Sequence, residues 1–320
     1  MLTEVMLVLI SMIALWLGAR LTVDNASRIA KSMGISEVII GLTVVAFGTS
    51  APEFAVSIGA ALKGYSSISV ANIVGSNIFN LGFILGGIAV ITHIKTTREM
   101  VYRDCMFLAI TTLLLSFFLY DLELSQIEGA FLFLLLFLYL CYLLKERKAE
   151  VKGLEEVEND EESSAGDGSD DSIAQITGSA ALLICGLSAV VMGSHFLVES
   201  ARTLARAAGI SEWIVGVTIV AAGTSAPEFV TSLVAALKGH HEISAGTLIG
   251  SDIFNCVGVL GLAGMIRPLI VVPHARVSVC MLSLMVFLIL VFMRTGWKLS
   301  RAEGAFLLSI AIIRWIFDLT

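Results

Sequence analysis

Long apolar runs dominate the chain, and polar residues interrupt them at only a few points. Runs of roughly 17–25 apolar residues have the length of membrane-spanning helices, and the pattern predicts about ten of them. Their expected ranges are 4–19, 26–62, 68–91, 101–120, 127–144, 174–194, 201–237, 243–266, 277–293 and 301–318. The second and seventh are too long for one straight span, so we expect a break in each. The predicted fold class is an all-α polytopic membrane protein.

One part of the sequence occurs twice. SEVIIGLTVVAFGTSAPEFAVSIGAALKG at Ser36–Gly64 returns 175 residues later as SEWIVGVTIVAAGTSAPEFVTSLVAALKG at Ser211–Gly239, with 20 of 29 positions identical. GSNIFN at Gly75–Asn80 returns as GSDIFN at Gly250–Asn255 at the same offset. Each half holds five predicted helices, and an odd number makes the second half enter the membrane from the opposite side. The chain is therefore predicted to be two inverted five-helix repeats.

A polar segment separates the halves. From Lys145 to Asp171 the chain carries eleven acidic and four basic residues, and residues 145–172 contain no aromatic residue. Because this composition offers little to bury, we expect a disordered linker. The alternative is a weak calcium-gathering tail, although the spacing of an EF-hand loop is missing. The predicted organisation is a first repeat at 1–144, an acidic linker at 145–172 and a second repeat at 173–320.

Composition and charge add the location and the orientation. The chain is 57% hydrophobic and 15% charged, which excludes an ordinary soluble domain. If the amino terminus lies outside, fourteen basic residues flank the inner ends of the helices and six flank the outer ends. Since Lys and Arg concentrate on the cytoplasmic side, we expect a multi-pass protein of the cell membrane with both termini outside and the linker cytoplasmic.

Each copy of the longer motif places one proline and one glutamate in an apolar run, Pro52 with Glu53 and Pro227 with Glu228. A carboxylate at mid-membrane depth costs about 2.5–3.5 kcal/mol, which a bound cation would offset. Neither motif contains Cys or His, and oxygen ligands alone suit hard cations such as Ca²⁺ and Na⁺. Two glutamates match one divalent ion, or monovalent ions in exchange for it.

The prolines are expected to open their helices. A proline has no N–H and clashes with the carbonyl four residues earlier, and free carbonyls in a bilayer are tolerated only where they line a cavity or bind an ion. Helix packing is the alternative reason for Gly, Pro, Ser and Thr at these positions. The expected ligands beside the glutamates are the carbonyls within 46–49 and 221–224 and the hydroxyl groups of Thr49, Ser50, Thr224 and Ser225.

The shorter motif supplies neutral oxygens. Ser76 and Asn80 are four residues apart, as are Ser251 and Asn255, so each pair lies on one helix face. These groups suit weak sodium binding or a water position, and ordinary hydrogen bonding between helices is the alternative. The glycines that begin the motif are expected to allow close helix approach.

Asp252 breaks the symmetry, because its repeat counterpart is Asn77. On an ideal helix it is turned about 100° from Ser251. It either borders the ion site or pairs with a basic group at the helix edge, and the sequence leaves both possibilities open.

The paired motifs GTSAPEF with GSNIFN and GTSAPEF with GSDIFN resemble the two alpha-repeats of the calcium/cation antiporter superfamily, specifically its prokaryotic-type sodium/calcium exchangers. The resemblance covers nearly the whole chain, and proton-coupled members typically carry a GNA-x-E-like motif instead. It implies a ten-helix fold in which a core of helices 2–5 and 7–10 holds the ions. Helices 1 and 6 would slide across that core to switch access.

The resemblance also implies ligand sets. A calcium site would use Glu53, Glu228 and the carbonyls of Thr49 and Thr224. Sodium sites would add Ser50, Ser225 and the carbonyls of Ala46 and Ala221, and a middle position would involve Ser76, Asn80, Ser251 and Asn255. Potassium-dependent relatives carry aspartate at the position of Asn255, so the neutral residue here argues against potassium co-transport.

The expected function is a secondary antiporter that exchanges Na⁺ for Ca²⁺ by alternating access. The alternatives are a Ca²⁺/H⁺ antiporter with Glu53 and Glu228 as proton carriers and, with less support, a cation channel. We expect no enzyme activity, since there is no metal-binding His-Glu pair and no base near Ser50 or Ser225. No cofactor, nucleic acid or protein partner is expected, and the partners are the two ions and the lipid bilayer.

Overall fold

A computed structural model describes residues 2–160, 169–208 and 221–319 of the chain. Its helical segments are Leu2–Ser32, Glu37–Ile40, Gly41–Val45, Ala46–Thr49, Ala51–Leu62, Ser66–Phe79, Asn80–Leu85, Gly86–Ile91, Met100–Cys105, Met106–Phe118, Leu119–Asp121, Gln126–Asp160, Ser169–Ala207, Ala221–Thr224, Ala226–Leu237, His241–Ile253, Phe254–Val259, Leu260–Ile266, His274–Arg294 and Arg301–Leu319. Four strands of two residues are β1 (Ile94–Lys95), β2 (Glu123–Leu124), β3 (Leu269–Ile270) and β4 (Lys298–Leu299). The predicted all-α class is confirmed.

Seven of the described helices are long and apolar enough to cross a membrane. They are Leu2–Ser32, Ser66–Ile91, Met100–Asp121, Gln126–Lys145, Ile176–Ala201, His241–Ile266 and Ala275–Arg294. The pair Glu37–Thr49 and Ala51–Leu62, bent by 53°, makes an eighth if it is one span. The polytopic class is therefore confirmed. The count of ten stays a prediction for two reasons. Part of the predicted helix 201–237 lies outside the described residues, and Arg301–Leu319, at the predicted helix 301–318, is not among the seven.

Two helix boundaries differ from the sequence prediction. The helix Leu2–Ser32 includes residues 20–32, and the helix Ser169–Ala207 includes residues 201–207. The pattern assigned parts of both stretches to the following helices, and this was wrong because charged residues do not by themselves end a helix. In the first helix, for example, Arg20, Arg28 and Lys31 are simply exposed. The first helix ends instead at Ser32, two residues before Gly34, whose φ of 60° suits glycine.

The linker is helical wherever the structure describes it. The helix Gln126–Asp160 includes the first part of the linker, and the last part, from Ser169 on, belongs to the described helix Ser169–Ala207. The expectation of a disordered linker is therefore wrong for 145–160 and 169–172. The cause is local: KERKAEVKGLEEVEND is rich in the strong helix formers Lys and Glu and also contains Ala, so helix is favoured although the segment contains few apolar residues. The rest of the predicted linker, residues 161–168, lies outside the described residues.

Two short antiparallel ladders reveal the symmetry of the fold. β1 pairs with β4, so that Ile94 lies opposite Leu299, and β2 pairs with β3, so that Leu124 lies opposite Leu269. Residues 94 and 269 are separated by the 175-residue repeat offset, and so are residues 124 and 299. By this offset β1 corresponds to β3 and β2 corresponds to β4. The two ladders are therefore related by the same operation that relates the repeats, as expected for a two-fold axis.

The ladders also support the predicted inversion of the repeats. β1 precedes the span Met100–Asp121 and β2 follows it, so the two ladders lie at opposite ends of this helix. The span has 22 residues, which corresponds to about 33 Å of helix. An operation that exchanges the ladders therefore exchanges the two membrane faces.

Two helices stand apart from the main core. Leu2–Ser32 and Ser169–Ala207, here called the peripheral pair, pack on each other at Gly18 and Gly186, where a Cβ on Gly18 would lie 2.9 Å from the Gly186 carbonyl oxygen. Small residues permit such close approach between membrane helices. The buried apolar residues of the peripheral pair form a second cluster together with Ile40, Val45, Val234, Ala235 and Ile243, separate from the large cluster of the main core.

Candidate functional site

Two interrupted helices position the glutamates. The first broken helix (Glu37–Thr49 with Ala51–Leu62) is interrupted at Ser50, and the second broken helix (Ala221–Thr224 with Ala226–Leu237) is interrupted at Ser225. The ψ angles of 8° at Ser50 and 7° at Ser225 are outside the helical range. Each proline lies in the first turn after its break, where the missing N–H costs nothing. The predicted breaks are therefore in place.

The break does not free every carbonyl that the sequence suggested. The Ala46 carbonyl accepts the Ser50 N–H at 3.0 Å and the Thr49 hydroxyl at 3.2 Å. The expectation that this carbonyl becomes available is therefore wrong for the described structure, because a helical bond persists across the interruption.

The two glutamates are held by hydroxyl groups across the repeats. Ser225 Oγ donates to Glu53 Oε1 at 3.1 Å, and Ser50 Oγ donates to Glu228 Oε1 at 2.9 Å. Ser251 Oγ also donates to Glu228 Oε1, at 3.1 Å, and lies 2.5 Å from Ser50 Oγ. Both glutamate side chains are fully buried. Each repeat thus supplies a carboxylate and the hydroxyl that orients the other carboxylate.

The remaining predicted ligands are placed less uniformly. Thr49 is buried and its hydroxyl donates to the Ala46 carbonyl, and Thr224 is half-buried. Ala221 is the first described residue of the second broken helix. Ser76 is buried on the helix Ser66–Phe79, and no hydrogen bond of its side chain to the other site residues is found among the described residues.

Amide side chains form a second layer of the site. Asn80 Nδ2 donates to Asp252 Oδ1 at 3.0 Å, and Asn255 Nδ2 donates to Asn77 Oδ1 at 3.0 Å. These two bonds are related by the repeat offset. Asn77 Nδ2 in turn donates to the backbone oxygen of Asp252 at 3.1 Å and to Cys256 Sγ at 3.1 Å. Asn77 and Asp252 are repeat counterparts that contact each other, so both lie near the two-fold axis.

Sequence reasoning missed Asn77 and left Asp252 open. Asn77 lies one residue off the face shared by Ser76 and Asn80, so spacing along the helix does not place it in the site. Spacing within one helix does not predict contacts with the other repeat across the two-fold axis. The signal that could have found it is its position as the counterpart of Asp252. Asp252 is fully buried and bonded to Asn80, so it borders the site. The alternative that it pairs with a basic group at the helix edge is wrong.

Five buried oxygens in this region accept no hydrogen bond from any residue that the structure describes. They are Glu53 Oε2, Glu228 Oε2, Asp252 Oδ2, Asn80 Oδ1 and Asn255 Oδ1. All five are acceptors, and a buried acceptor without a partner is costly. The described residues contain no group of three or more His, Cys, Asp and Glu side chains arranged to hold a metal ion. A cation here therefore needs hydroxyl, amide or carbonyl oxygens as well as carboxylates.

The glycine that begins the shorter motif allows close helix approach in one of the two repeats. A Cβ on Gly250 would lie 2.5 Å from the Leu42 carbonyl oxygen, so the second motif packs directly on the first broken helix. No described atom lies within 4 Å of the equivalent point on Gly75, which is exposed. The expectation is confirmed at Gly250 and wrong for Gly75 within the described structure.

Inverted repeats, broken helices and buried carboxylates that meet between the repeats define a secondary transporter of cations. A profile of the family described as "Sodium/calcium exchanger protein" matches residues 3–145 and 178–318. The chain belongs to this family.

Relatives match over almost the full length of the chain. The sodium/calcium exchanger MaX1 of Methanosarcina acetivorans is 33% identical over 340 residues, which cover 95% of each chain. The inner membrane protein YrbG of Escherichia coli is 31% identical, over 99% of this chain and 98% of that protein. Among solved structures, the sodium-calcium exchanger NCX_Mj soaked with zero Na⁺ and Ca²⁺ is similar at a TM-score of 0.84, with 29% identity over 99% of both chains.

Proposed function

We propose that this chain exchanges Na⁺ for Ca²⁺ across a membrane by alternating access, with both ions competing for the two glutamates. The chain belongs to the sodium/calcium exchanger family, and its fold matches the exchanger NCX_Mj. Competition at one site is sufficient for exchange, since one ion must leave before the other binds. Inward movement of Na⁺ would then drive Ca²⁺ outward.

The observation that carries the proposal is the set of five unpartnered acceptor oxygens around Glu53 and Glu228. Three of them belong to carboxylates, Asp252 included. Hard cations take oxygen ligands of this kind. A bound cation would satisfy the oxygens that no hydrogen bond satisfies, and it would offset the cost of burying the carboxylates.

The ion-binding residues are part of the proposal. The calcium ligands would be the two glutamates with the carbonyls of Thr49 and Thr224, and Ala46 would serve Na⁺ only after its carbonyl gives up a hydrogen bond. The full set is Glu53, Glu228, Thr49, Thr224, Ser50, Ser225, Ala46, Ala221, Ser76, Asn80, Ser251, Asn255 and Asp252. Asn77 is not part of the set, and its side-chain oxygen accepts a hydrogen bond from Asn255.

The type of membrane and the orientation of the chain in it are also part of the proposal. The chain is a membrane protein by its spans and its relatives. We place it in the cell membrane with both termini outside and the linker in the cytoplasm, on the distribution of Lys and Arg between the two ends.

The test is uptake of radioactive Ca²⁺ into Na⁺-loaded proteoliposomes of the purified chain. Uptake should require the outward Na⁺ gradient and should persist when proton and potassium gradients are absent. Uptake driven by a pH gradient without Na⁺ would instead assign Ca²⁺/H⁺ exchange. Single-channel currents in a planar bilayer would overturn antiport altogether.

A further inference from the structure

Buried hydroxyl groups continue from the glutamate site toward one end of the second repeat. Ser232 follows Glu228 by four residues, on the same face of the second broken helix and about 6 Å further along its axis. Thr247 and Ser244 precede Ser251 by four and seven residues on one face of the next helix. A short turn joins these two helices, so both rows lead to the same end of the molecule.

Three hydroxyl groups in this region have no hydrogen-bond partner within the described part of the chain. They belong to Thr231, Ser232 and Ser244, and all three side chains are fully buried. A hydroxyl in a membrane helix ordinarily bonds to a carbonyl of the preceding turn, as Thr247 does to Ile243 at 2.8 Å. The three unpartnered groups therefore keep their oxygens available for water or for a cation.

In the first repeat, the serine equivalent to Ser232 does have a hydrogen-bond partner. There Ser57, the counterpart of Ser232, accepts a hydrogen bond from Asn72 Nδ2 at 3.0 Å. The counterpart of Asn72 is Thr247, whose hydroxyl bonds to its own helix, so Ser232 has lost its donor.

Two further comparisons complete the contrast between the repeats. Thr231 replaces Val56, so the second repeat has gained a hydroxyl where the first is apolar. At the level of Ser244 the repeats agree, since Ser69 is also buried without a partner. The difference between the repeats therefore rests on Thr231 and Ser232.

We propose that Thr231, Ser232 and Ser244 form a passage site for Na⁺ or Ca²⁺ that keeps part of its hydration shell, between Glu228 and the Leu237 end of the second broken helix. Neutral hydroxyl oxygens without a carboxylate hold such an ion weakly, which suits a position that must release it. The proposal rests on the proposed exchange function. A passage site in the second repeat alone would make the ion route through that repeat more polar than the equivalent route through the first repeat.

The test compares Thr231→Val, Ser232→Ala and Ser244→Ala with the control Ser57→Ala. Each variant is purified, and its Tm is measured by thermal unfolding. A separate sample is reconstituted in proteoliposomes and assayed for Na⁺-driven uptake of radioactive Ca²⁺. Each passage-site variant should lower the maximal rate several-fold and leave the apparent Ca²⁺ affinity unchanged. Its Tm should stay the same or rise, because an unpartnered buried hydroxyl is removed. Ser57→Ala should lower the Tm and keep the rate, since Asn72 loses its acceptor.

The outcomes separate the two proposals. Failure of the wild-type protein to exchange the ions would overturn the proposed function. Wild-type exchange with unchanged rates in all three variants would overturn the passage site alone. A fall in rate that is matched by a fall in Tm would also overturn it, because the hydroxyl groups would then be structural.

Discussion

At the residue scale, Glu53 and Glu228 are the side chains whose charge matters most. Glu53→Gln and Glu228→Gln should each lower Na⁺-driven Ca²⁺ uptake by about tenfold or more, because a divalent ion loses one compensating charge in a medium of low dielectric. The amide oxygen can still accept the hydrogen bond from Ser225 or Ser50, so the Tm should change little. Glu123→Gln, at an exposed glutamate in β2, is the control. Wild-type exchange in either site variant would contradict the assignment.

The two asparagines on either side of the two-fold axis should respond differently to aspartate. Asn255→Asp adds a carboxylate where an oxygen already lacks a partner, so it should change the preference among Na⁺, K⁺ and Ca²⁺. Asn77→Asp removes the donor to the Asp252 backbone and to Cys256, so it should cost about 1–3 kcal/mol of stability. The measurements are uptake in matched ion series and thermal unfolding. A selectivity change confined to Asn77→Asp would show that the ligand face is misassigned.

Part of the site could be predicted from single residues and part could not. Glu53, Glu228 and their hydroxyl neighbours stand out because a polar group inside an apolar run is costly and because it occurs twice. The contact between Asn77 and Asp252 does not follow from either helix face. It depends on how the two helices cross near the symmetry axis, and side-chain spacing within one helix carries no information on that crossing.

At the element scale, close packing fixes one broken helix against the second repeat. A Cβ on Gly250 would overlap the backbone of Leu42 at 2.5–2.8 Å. Gly250→Ala should therefore displace the first broken helix, with a cost of about 1–3 kcal/mol and a reduced rate of exchange. Gly75→Ala is the matched control from the other repeat and should be tolerated. The measurements are thermal unfolding for stability and Ca²⁺ uptake for the rate of exchange. Equal effects of the two substitutions would contradict the packing argument.

The linker should be dispensable for exchange. The membrane-length parts of the flanking helices are Gln126–Lys145 and Ile176–Ala201, so deletion of Gly153–Asp171 removes residues outside both. Uptake by the deletion variant should stay within about twofold of wild type, since a polar acidic segment contributes no core. A scrambled 153–171 segment is the control for length. Loss of exchange in a correctly inserted deletion variant, with the scrambled variant active, would give the linker a role in transport.

Helix identity was predictable, whereas several helix boundaries were not. Apolar runs mark the buried length of a span, and this predicted the span Gln126–Lys145 closely. Beyond the membrane the same helix continues to Asp160, because Glu, Lys and Ala favour helix in water as well. Hydropathy alone does not register such extensions.

At the scale of the whole molecule, the duplicated sequence predicted the inverted repeats, but not the ladders that join them. Strands of two residues are too short to leave a periodic pattern. The turns beside them adopt a left-handed backbone at Leu122 and Trp297, with φ of 73° and 53°. These residues are repeat counterparts and neither is glycine, so composition gives no hint of the turn. The pairing across repeats supplies the constraint that the sequence does not display.

The two ladders distinguish the membrane faces by charge. The end with β1 and β4 carries Lys95, Arg98, Arg294, Lys298 and Arg301, whereas the repeat counterparts at the other end are Ile270, Pro273, Leu119, Glu123 and Gln126. The guanidinium groups of Arg98 and Arg294 each lie 5.2 Å from the ring centroid of Trp297, an arrangement typical of a membrane interface. We therefore expect the β1 and β4 end to face the cytoplasm.

This orientation predicts which parts of the chain can be labelled from outside. Single cysteines at Thr3, Ser163 and Asp318 are introduced into a variant without the five native cysteines, since three of those are exposed. An impermeant thiol reagent on intact cells should label positions 3 and 318 and should reach position 163 only after the membrane is permeabilised. The physical reason is that basic loops are retained on the cytoplasmic side. Labelling of position 163 alone would reverse the orientation, and labelling of only one terminus would contradict an even number of membrane crossings.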